Sequence, residues 1–337
     1  MKLSILIKTY NEESNIARCL DAVFKAIDDM AEPVEVIVAD GLSGDATVAL
    51  ASAYRVKVVQ LLNAADRGCG SGVQLGFQHA LGEFVYLLDG DMELQGEFLR
   101  EALCMMEANP ALGGVAGALA DKQIINWFDR NREKNKPSAR SGEAEWLAGG
   151  GLYRRAALDD AGGFAGNRNL KAYEEAELGL RLASCGWRMV RIATVAVLHT
   201  GHADSTFGLI RRQWRSGRLD AGGVLLRSAL GRPWLKRVLR MCLHPLAVLL
   251  FWSLFLACLL LTSSYVMPLA LLALGTAACL ALLVKKRSVI DSALSVVLWH
   301  VSAAGLVRGF VRARLHPPGA PIPSQVLNDR TVQLSAD

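Results

Sequence analysis

Apolar and polar positions alternate along most of the chain, then stop alternating. From Leu246 to Val284, thirty-nine consecutive residues carry no charged side chain. Ahead of them, Leu3 to Ile7 reads as a short strand, and Asn11-Glu12-Glu13-Ser14-Asn15 signals the start of a helix running to about Ile27. Val34 to Ala39 predicts a second strand ending on Asp40, with Gly41-Leu42-Ser43-Gly44-Asp45 turning into the next helix. Val56 to Leu62 predicts a third strand, and Gly68 to Gly72 leads into a helix over Val73 to Leu81. Phe84-Val85-Tyr86-Leu87-Leu88 is wholly apolar, as befits a strand buried on both faces. This alternation predicts an α/β fold, a Rossmann-like, mainly parallel sheet with helices on both sides. Ligands of such sheets bind at the carboxyl ends of the strands. A polar loop, Asp121 to Glu145, carries Arg130, Arg132, Lys134, Lys136 and Arg140. Beyond it come Gly149-Gly150-Gly151, a helix from about Arg155, a charged helix near Glu174 to Ser184, and a short strand, Val195 to Leu198, leading to His199 and His202.

A membrane span needs about 20 apolar residues. Residues 246–284 therefore predict a transmembrane helical hairpin turning near Thr262-Ser263-Ser264-Tyr265 and Met267-Pro268. Ser288 to Val307 is a third apolar segment, with Asp291 and His300 inside it. Its length allows a crossing, but that would place Arg308, Arg312 and Arg314 outside, against the bias set by Lys285-Lys286-Arg287. An interfacial or re-entrant helix packed against the soluble domain avoids the conflict. The expected organisation is a soluble domain over 1–225, a juxtamembrane segment over 226–245, the hairpin over 246–284, a third apolar helix over 288–312 and a flexible Pro-rich tail over 316–337.

The net charge of +5 matters less than its placement. Arg211, Arg212, Arg215, Arg218, Arg227, Arg232, Lys236, Arg237 and Arg240 face a lone Asp220. Directly before a span, they read as a cytoplasmic flank that also attracts anionic lipid. Nucleic-acid binding is disfavoured, because these bases lie directly beside a membrane span. The seven cysteines show no Cys-x-x-Cys spacing, which suits a reduced compartment better than a disulfide framework or zinc site. The apolar stretch at the N-terminus is too short for a secretory h-region, so the soluble domain is expected in the cytoplasm.

Three clusters carry candidate chemistry. Asp89-Gly90-Asp91 follows the buried strand, and residues i and i+2 of an extended chain point the same way, so two carboxylates should emerge together. Such oxygen donors suit Mg²⁺ or Mn²⁺ shared with substrate phosphates; a solvated Asp-Gly turn is the plain alternative. In Tyr173-Glu174-Glu175-Ala176-Glu177-Leu178-Gly179-Leu180-Arg181, helix-dipole and i,i+4 pairing suffice for Glu177 and Arg181. Glu174 and Glu175 remain as candidate general bases. His199 and His202, at a strand end, are candidate ligands, although a lone histidine is more often structural.

Ile5-Leu6-Ile7-Lys8-Thr9-Tyr10-Asn11-Glu12, Val38 to Thr47, Leu87 to Asp91, Gly149 to Arg155 and Glu174 to Leu178, taken together, resemble the family 2 glycosyltransferases of the GT-A fold. The likeness runs from residue 3 to about 217. The hairpin is similar to that of bacterial members that build exopolysaccharide on a lipid carrier, such as succinoglycan-type enzymes. The resemblance implies that Thr9, Tyr10, Glu12, Asp40 and Asp89 border the nucleotide, and that Gly150 and Gly151 line the sugar and acceptor. It implies a divalent cation, Mg²⁺ or Mn²⁺, on Asp91, Asp89 and His199, with His202 as fallback. Glu175 falls at the catalytic base, usually aspartate in the family, which leaves Glu174 open as the base. Lys8 replaces the usual proline, a departure read as tolerable. Arg211-Arg212-Gln213-Trp214-Arg215 does not match the Gln-x-x-Arg-Trp motif of processive synthases.

The implied activity is inverting, metal-dependent transfer of one sugar from a nucleotide sugar, a UDP-sugar foremost. The implied acceptor is a polyprenyl-diphosphate-linked glycan at the cytoplasmic face of the bacterial inner (plasma) membrane, in exopolysaccharide or surface-glycan synthesis. The alternatives are a processive polysaccharide synthase and a non-catalytic nucleotide-binding membrane scaffold. A dinucleotide-dependent dehydrogenase is disfavoured, since Val73 stands where Gly-x-Gly-x-x-Gly needs its third glycine.

Overall fold

The computed structural model describes residues 1–135, 141–148, 150–201, 203–262 and 264–330. Lys136, Arg140, Gly149, His202 and Ser263 lie outside the described residues. The chain forms two compact units, Met1–Arg212 with the chain from Arg314, and Gln213–Ala313.

The strands of the first unit are β1 (Leu3–Thr9), β2 (Val34–Asp40), β3 (Lys57–Leu61), β4 (Phe84–Asp89), β5 (Met92–Leu94), β6 (Leu112–Asp121), β7 (Gly142–Glu143), β8 (Gly151–Arg154), β9 (Arg188–His199) and β10 (Ser324–Asp329). They make one mixed sheet ordered β10-β3-β2-β1-β4-β8-β6-β9-β5, with β7 beside β9. The β3-β2-β1-β4 ladder is parallel, as is β6 with β9, and β8 joins the two blocks antiparallel. The helices are α1 (Ile16–Ile27), α2 (Thr47–Ala51), α3 (Cys69–Gln78), α4 (Gly96–Ala108), α5 (Trp127–Asn135), α6 (Arg155–Asp160), α7 (Glu174–Ser184) and α8 (Thr206–Ser216), the last running past the unit boundary.

Alternation along β1 and β4 sets the position of the site. Leu3, Ile5 and Ile7, with Phe84, Tyr86 and Leu88, enter one core together with residues of α1 and α4. Leu6, Val85 and Leu87 enter the other core, with residues of α3, α6 and α7. Because side chains alternate with period 2, Lys8 and Asp89 project to this second side. They are also register partners across β1 and β4.

Four regions depart from expectation. The helix expected from Val73 begins at Cys69, so the glycine-rich stretch is its first turn. The loop from Asp121 to Glu145 contains α5, and β9 extends over twelve residues rather than four. The tail expected to be flexible instead supplies β10, which pairs antiparallel with β3 and covers that sheet edge.

The second unit contains α9 (Ala221–Ser228), α10 (Leu235–Met241), α11 (Leu243–Leu261), α12 (Val266–Lys286) and α13 (Val289–Arg312). α11, α12 and α13 are each long and apolar enough to cross a membrane. The unit begins at Gln213 rather than after residue 225, because the segment from Trp214 to Arg227 packs on α13.

Candidate active site

The loops after β1 and β2 lock onto each other. Asp40 is fully buried, and its carboxylate accepts from Thr9 Oγ1 (3.3 Å), Ser43 N (2.9 Å), Ser43 Oγ (2.5 Å) and Gln60 Nε2 (2.8 Å). Asn11 N donates to Ser43 Oγ, and Gly44 N donates to Asn11 Oδ1, both at 2.9 Å. Asp40 thus shapes the loop with its own carboxylate. Asn11 and Leu42, in these two loops, and Tyr173, just before α7, are non-glycine residues with positive φ (56°, 63° and 66°). Left-handed backbone of this kind costs on the order of 1–3 kcal/mol and clusters at functional sites. Arg67 fastens the rim. Its guanidinium lies 4.2 Å from the Tyr10 ring centre, and it donates to Tyr10 Oη (2.9 Å), Gly41 O (2.8 Å) and Leu42 O (3.2 Å).

The two carboxylates of Asp89-Gly90-Asp91 lie against different groups. β4 ends at Asp89 and the chain turns at Gly90 and Asp91, so the extended i, i+2 geometry is lost. Asp89 Oδ1 lies 3.1 Å from Lys8 Nζ, which also donates to Glu174 Oε1 at 2.7 Å. Burial opposes the Lys8 charge, yet Asp89 and Glu174 overcome it and raise its pKa well above the ordinary lysine value. Asp91 Oδ2 instead lies 3.3 Å from His199 Nε2, and His199 Nδ1 lies 2.6 Å from Asp121 Oδ1. Arg132 in turn grips Asp121 through Nε (2.6 Å) and Nη2 (3.0 Å). Burial works against the imidazolium, but Asp91 and Asp121 raise the His199 pKa to about 9.

α7 begins at Glu174, just after Tyr173, and delivers both glutamates to this centre. Glu174 is buried on Lys8. Glu175 is half-buried, and burial raises its pKa to about 8 against the pull of Lys8, with Glu174 and Asp89 adding to the rise. Glu12, across the cleft rim, is raised to about 7 by burial, opposed by its hydrogen bond from Asn15 and reinforced by Asp91 and Asp89. Glu177 and Arg181 form the expected i,i+4 pair (2.9 Å), and Arg181 also donates to the carbonyls of Ala161, Gly163 and Phe164. Gly150 has φ +89°, and a Cβ there would stand 2.8 Å from Tyr86 Oη, so only glycine fits over that ring. Gly151 opens β8 beside it.

Asp91 and His199 fit a hard divalent cation at one point. A carboxylate and an imidazole face each other, and Asp121 backs the second ring nitrogen as second-layer carboxylates do at metal-bound histidines. Among the described residues, no three His, Cys, Asp or Glu side chains converge into a complete metal site. Substrate phosphates often complete such a shell. Lys8, Arg67, Asp121 and Arg132 are site residues that sequence reasoning missed. Lys8 alone had a local signal, a lysine where the family pattern has proline.

A sheet with carboxylates, a histidine and a helix start gathered at its strand ends defines a domain of the GT-A type. Residues 4–166 match the family described as "Glycosyl transferase family 2", so this part of the chain is a domain of that family. It is 34% identical over 133 residues to a dolichol-phosphate mannosyltransferase of Pyrococcus furiosus, covering 38% of this chain and 36% of that protein. It is 28% identical over 136 residues to an undecaprenyl-phosphate 4-deoxy-4-formamido-L-arabinose transferase of Edwardsiella ictaluri, covering 39% and 41% respectively. The matched region thus spans about two fifths of the length of these relatives. Among solved structures, the mannosyltransferase PcManGT of Pyrobaculum calidifontis with GDP-Man and Mn²⁺ superposes with a TM-score of 0.58 at 20% identity, over 91% of this chain and 86% of that one. Residues 1–349 of Staphylococcus aureus TarS with UDP-GlcNAc superpose with a TM-score of 0.53 at 20% identity, over 69% and 68%.

Proposed function

We propose that the protein transfers one sugar, with inversion at the anomeric carbon, from a nucleotide sugar to a lipid-linked acceptor at the cytoplasmic membrane face. The observation that carries this reading is the division of labour on α7. Glu174 neutralises Lys8, while Glu175 keeps a proton affinity near neutrality, where general bases work best. Glu175 would take the proton from an acceptor hydroxyl as its oxygen attacks the anomeric carbon and the nucleoside diphosphate departs. Arg67 and Tyr10 would hold the nucleobase side, and Gly150 and Gly151 would floor the sugar pocket. Asp91 and His199 would hold a divalent cation, which supplies charge stabilisation to the leaving diphosphate. Asp89, placed on Lys8, would face the ribose rather than that cation. Exopolysaccharide or surface-glycan synthesis, in a bacterial inner membrane, is the setting this chemistry fits.

The names of the two relatives favour a second acceptor, a polyprenyl phosphate. A phosphate oxygen is already anionic near neutrality and needs no base. The test is transfer of label from a panel of nucleotide sugars into the lipid fraction of membranes holding wild type or Glu175→Gln. Label lost in the variant supports a hydroxyl acceptor. Label retained points to a phosphate acceptor, and retained anomeric configuration would sink the displacement altogether.

A further inference from the structure

α13 is long enough to be a third span, yet the strand that follows it does not permit one. β10, beyond α13, is hydrogen-bonded to β3, which precedes every apolar helix. Strands of one sheet lie on one side of a membrane, so the chain between them must cross an even number of times. Three candidate helices therefore cannot all span.

Burial and charge identify the one that does not. The most apolar stretches of α11 and α12 have mean hydropathy 2.2 and 2.3 and are 0% and 6% buried; that of α13 has 1.5 and is 33% buried. The C-terminal half of α13 is locked to residues that precede α11. Arg308 grips Asp220 through Nε (2.8 and 2.9 Å), donates to Trp214 O (2.9 Å) and lies 3.8 Å from the Trp214 ring centre. Arg227 donates to Phe310 O (2.8 Å) and Val311 O (3.1 Å). Gly305 and Gly309 bring the backbones together, since a Cβ on Gly309 would lie 2.0 Å from Asp220 O. The C-terminal end of α13 thus shares a side with the start of α11. Its other end follows Lys285, Lys286 and Arg287 on the return from the hairpin, and Arg312 and Arg314 close the far end. Basic residues at both ends place both in the cytoplasm.

α13 carries an apolar stripe at helical spacing, with Ala293, Val297, Ala304, Val307 and Val311 exposed; His300 interrupts it and accepts from Trp252 Nε1 of α11 at 3.0 Å. We propose that α11 and α12 cross the bilayer while α13 lies along its cytoplasmic surface, this stripe sunk into the headgroup–acyl boundary of an anionic leaflet. A stripe continuous with two spans and flanked by bases at both ends matches that partner and its charge. Asp220, the lone acid among nine bases, is the anchor that holds the surface helix to the start of the span. The proposal rests on the membrane reading alone and is independent of the reaction.

Accessibility to a membrane-impermeant maleimide tests it on the full chain, with exposed native cysteines replaced by serine. Ser264→Cys should label only from the outside, and Ser288→Cys and Leu315→Cys only from the cytoplasmic side. Outside labelling at Leu315 or Ser288, or cytoplasmic labelling at Ser264, would overturn the arrangement. An epitope appended after Asp337 of the otherwise wild-type chain gives the same answer without cysteine replacement. It should be digested in inside-out vesicles and protected in spheroplasts, and the reverse would overturn the even count. A nitroxide at Val297 should report a depth of about 5–10 Å, whereas one at Leu256 should sit near mid-bilayer. Equal depths would refute the surface position of α13.

Discussion

Asp89 and Asp91 stand two residues apart and belong to different electrostatic neighbourhoods. Asp89 shares an ammonium with Glu174, so its pole is an internal ion cluster completed by protein groups. Asp91 meets an imidazole, itself backed by Asp121 and Arg132, a pairing that under the proposed function would give up its proton to a cation. Neighbouring carboxylates therefore need not share a task; what each is paired with decides what it can bind. Under the proposed function the Lys8 pole would tune and position, and the His199 pole would coordinate.

The sharpest way to break this contrast is Glu175→Gln. With a hydroxyl acceptor, kcat should fall about 10²–10⁴-fold with nucleotide binding unchanged, read by single-turnover transfer and by nucleotide titration. Asp91→Asn should cost about 10²–10³-fold in kcat, the scale of losing one electrostatic stabiliser, and should raise the divalent-ion concentration needed; unchanged metal dependence would separate Asp91 from the cation. Asp121→Asn acts one layer further out and should weaken metal-dependent nucleotide binding about 10–100-fold, measured by calorimetry.

Lys8→Met tests the other pole through pH. The Lys8 charge holds the Glu175 pKa down, so its loss should move the acidic limb of kcat, expected near pH 8 in the wild type, to higher pH; Lys8→Arg should restore it. An unmoved limb would show that Lys8 is structural only. The smallest effect expected is thermal. Glu175 has a folded-state pKa raised from 4.5 to about 8, so the stability it confers is full below pH 4.5 and is lost as pH rises through about 8. Glu175→Gln should therefore melt a few degrees above wild type at pH 8.5, with little difference at pH 4.5, by scanning calorimetry.

The parallel ladder was legible because β1, β2 and β4 are mostly apolar and end in Thr9, Asp40 and Asp89. The turn residues before α1 and the helix at Glu174 were legible for the same local reason. The α5 helix was not, since its nine residues are mostly polar and carry little periodic signal. β10 was hidden by the Pro-rich stretch before it; its exposed residues matter only as an edge, through backbone pairing with β3.

Local pattern alone determined which segments are strands, which are apolar enough for a membrane, and which residues have the chemistry for a metal and a base. Periodicity and charge are carried by neighbours in the chain, so no fold is needed to read them. Tertiary structure alone decided the pairings: Lys8 with Asp89 and Glu174, His199 with Asp91 and Asp121, Arg308 with Asp220, and β10 with β3. Each joins residues 78 or more positions apart. Electrostatic and hydrogen-bond energies depend on distances of a few ångströms, and only folding brings such residues within them.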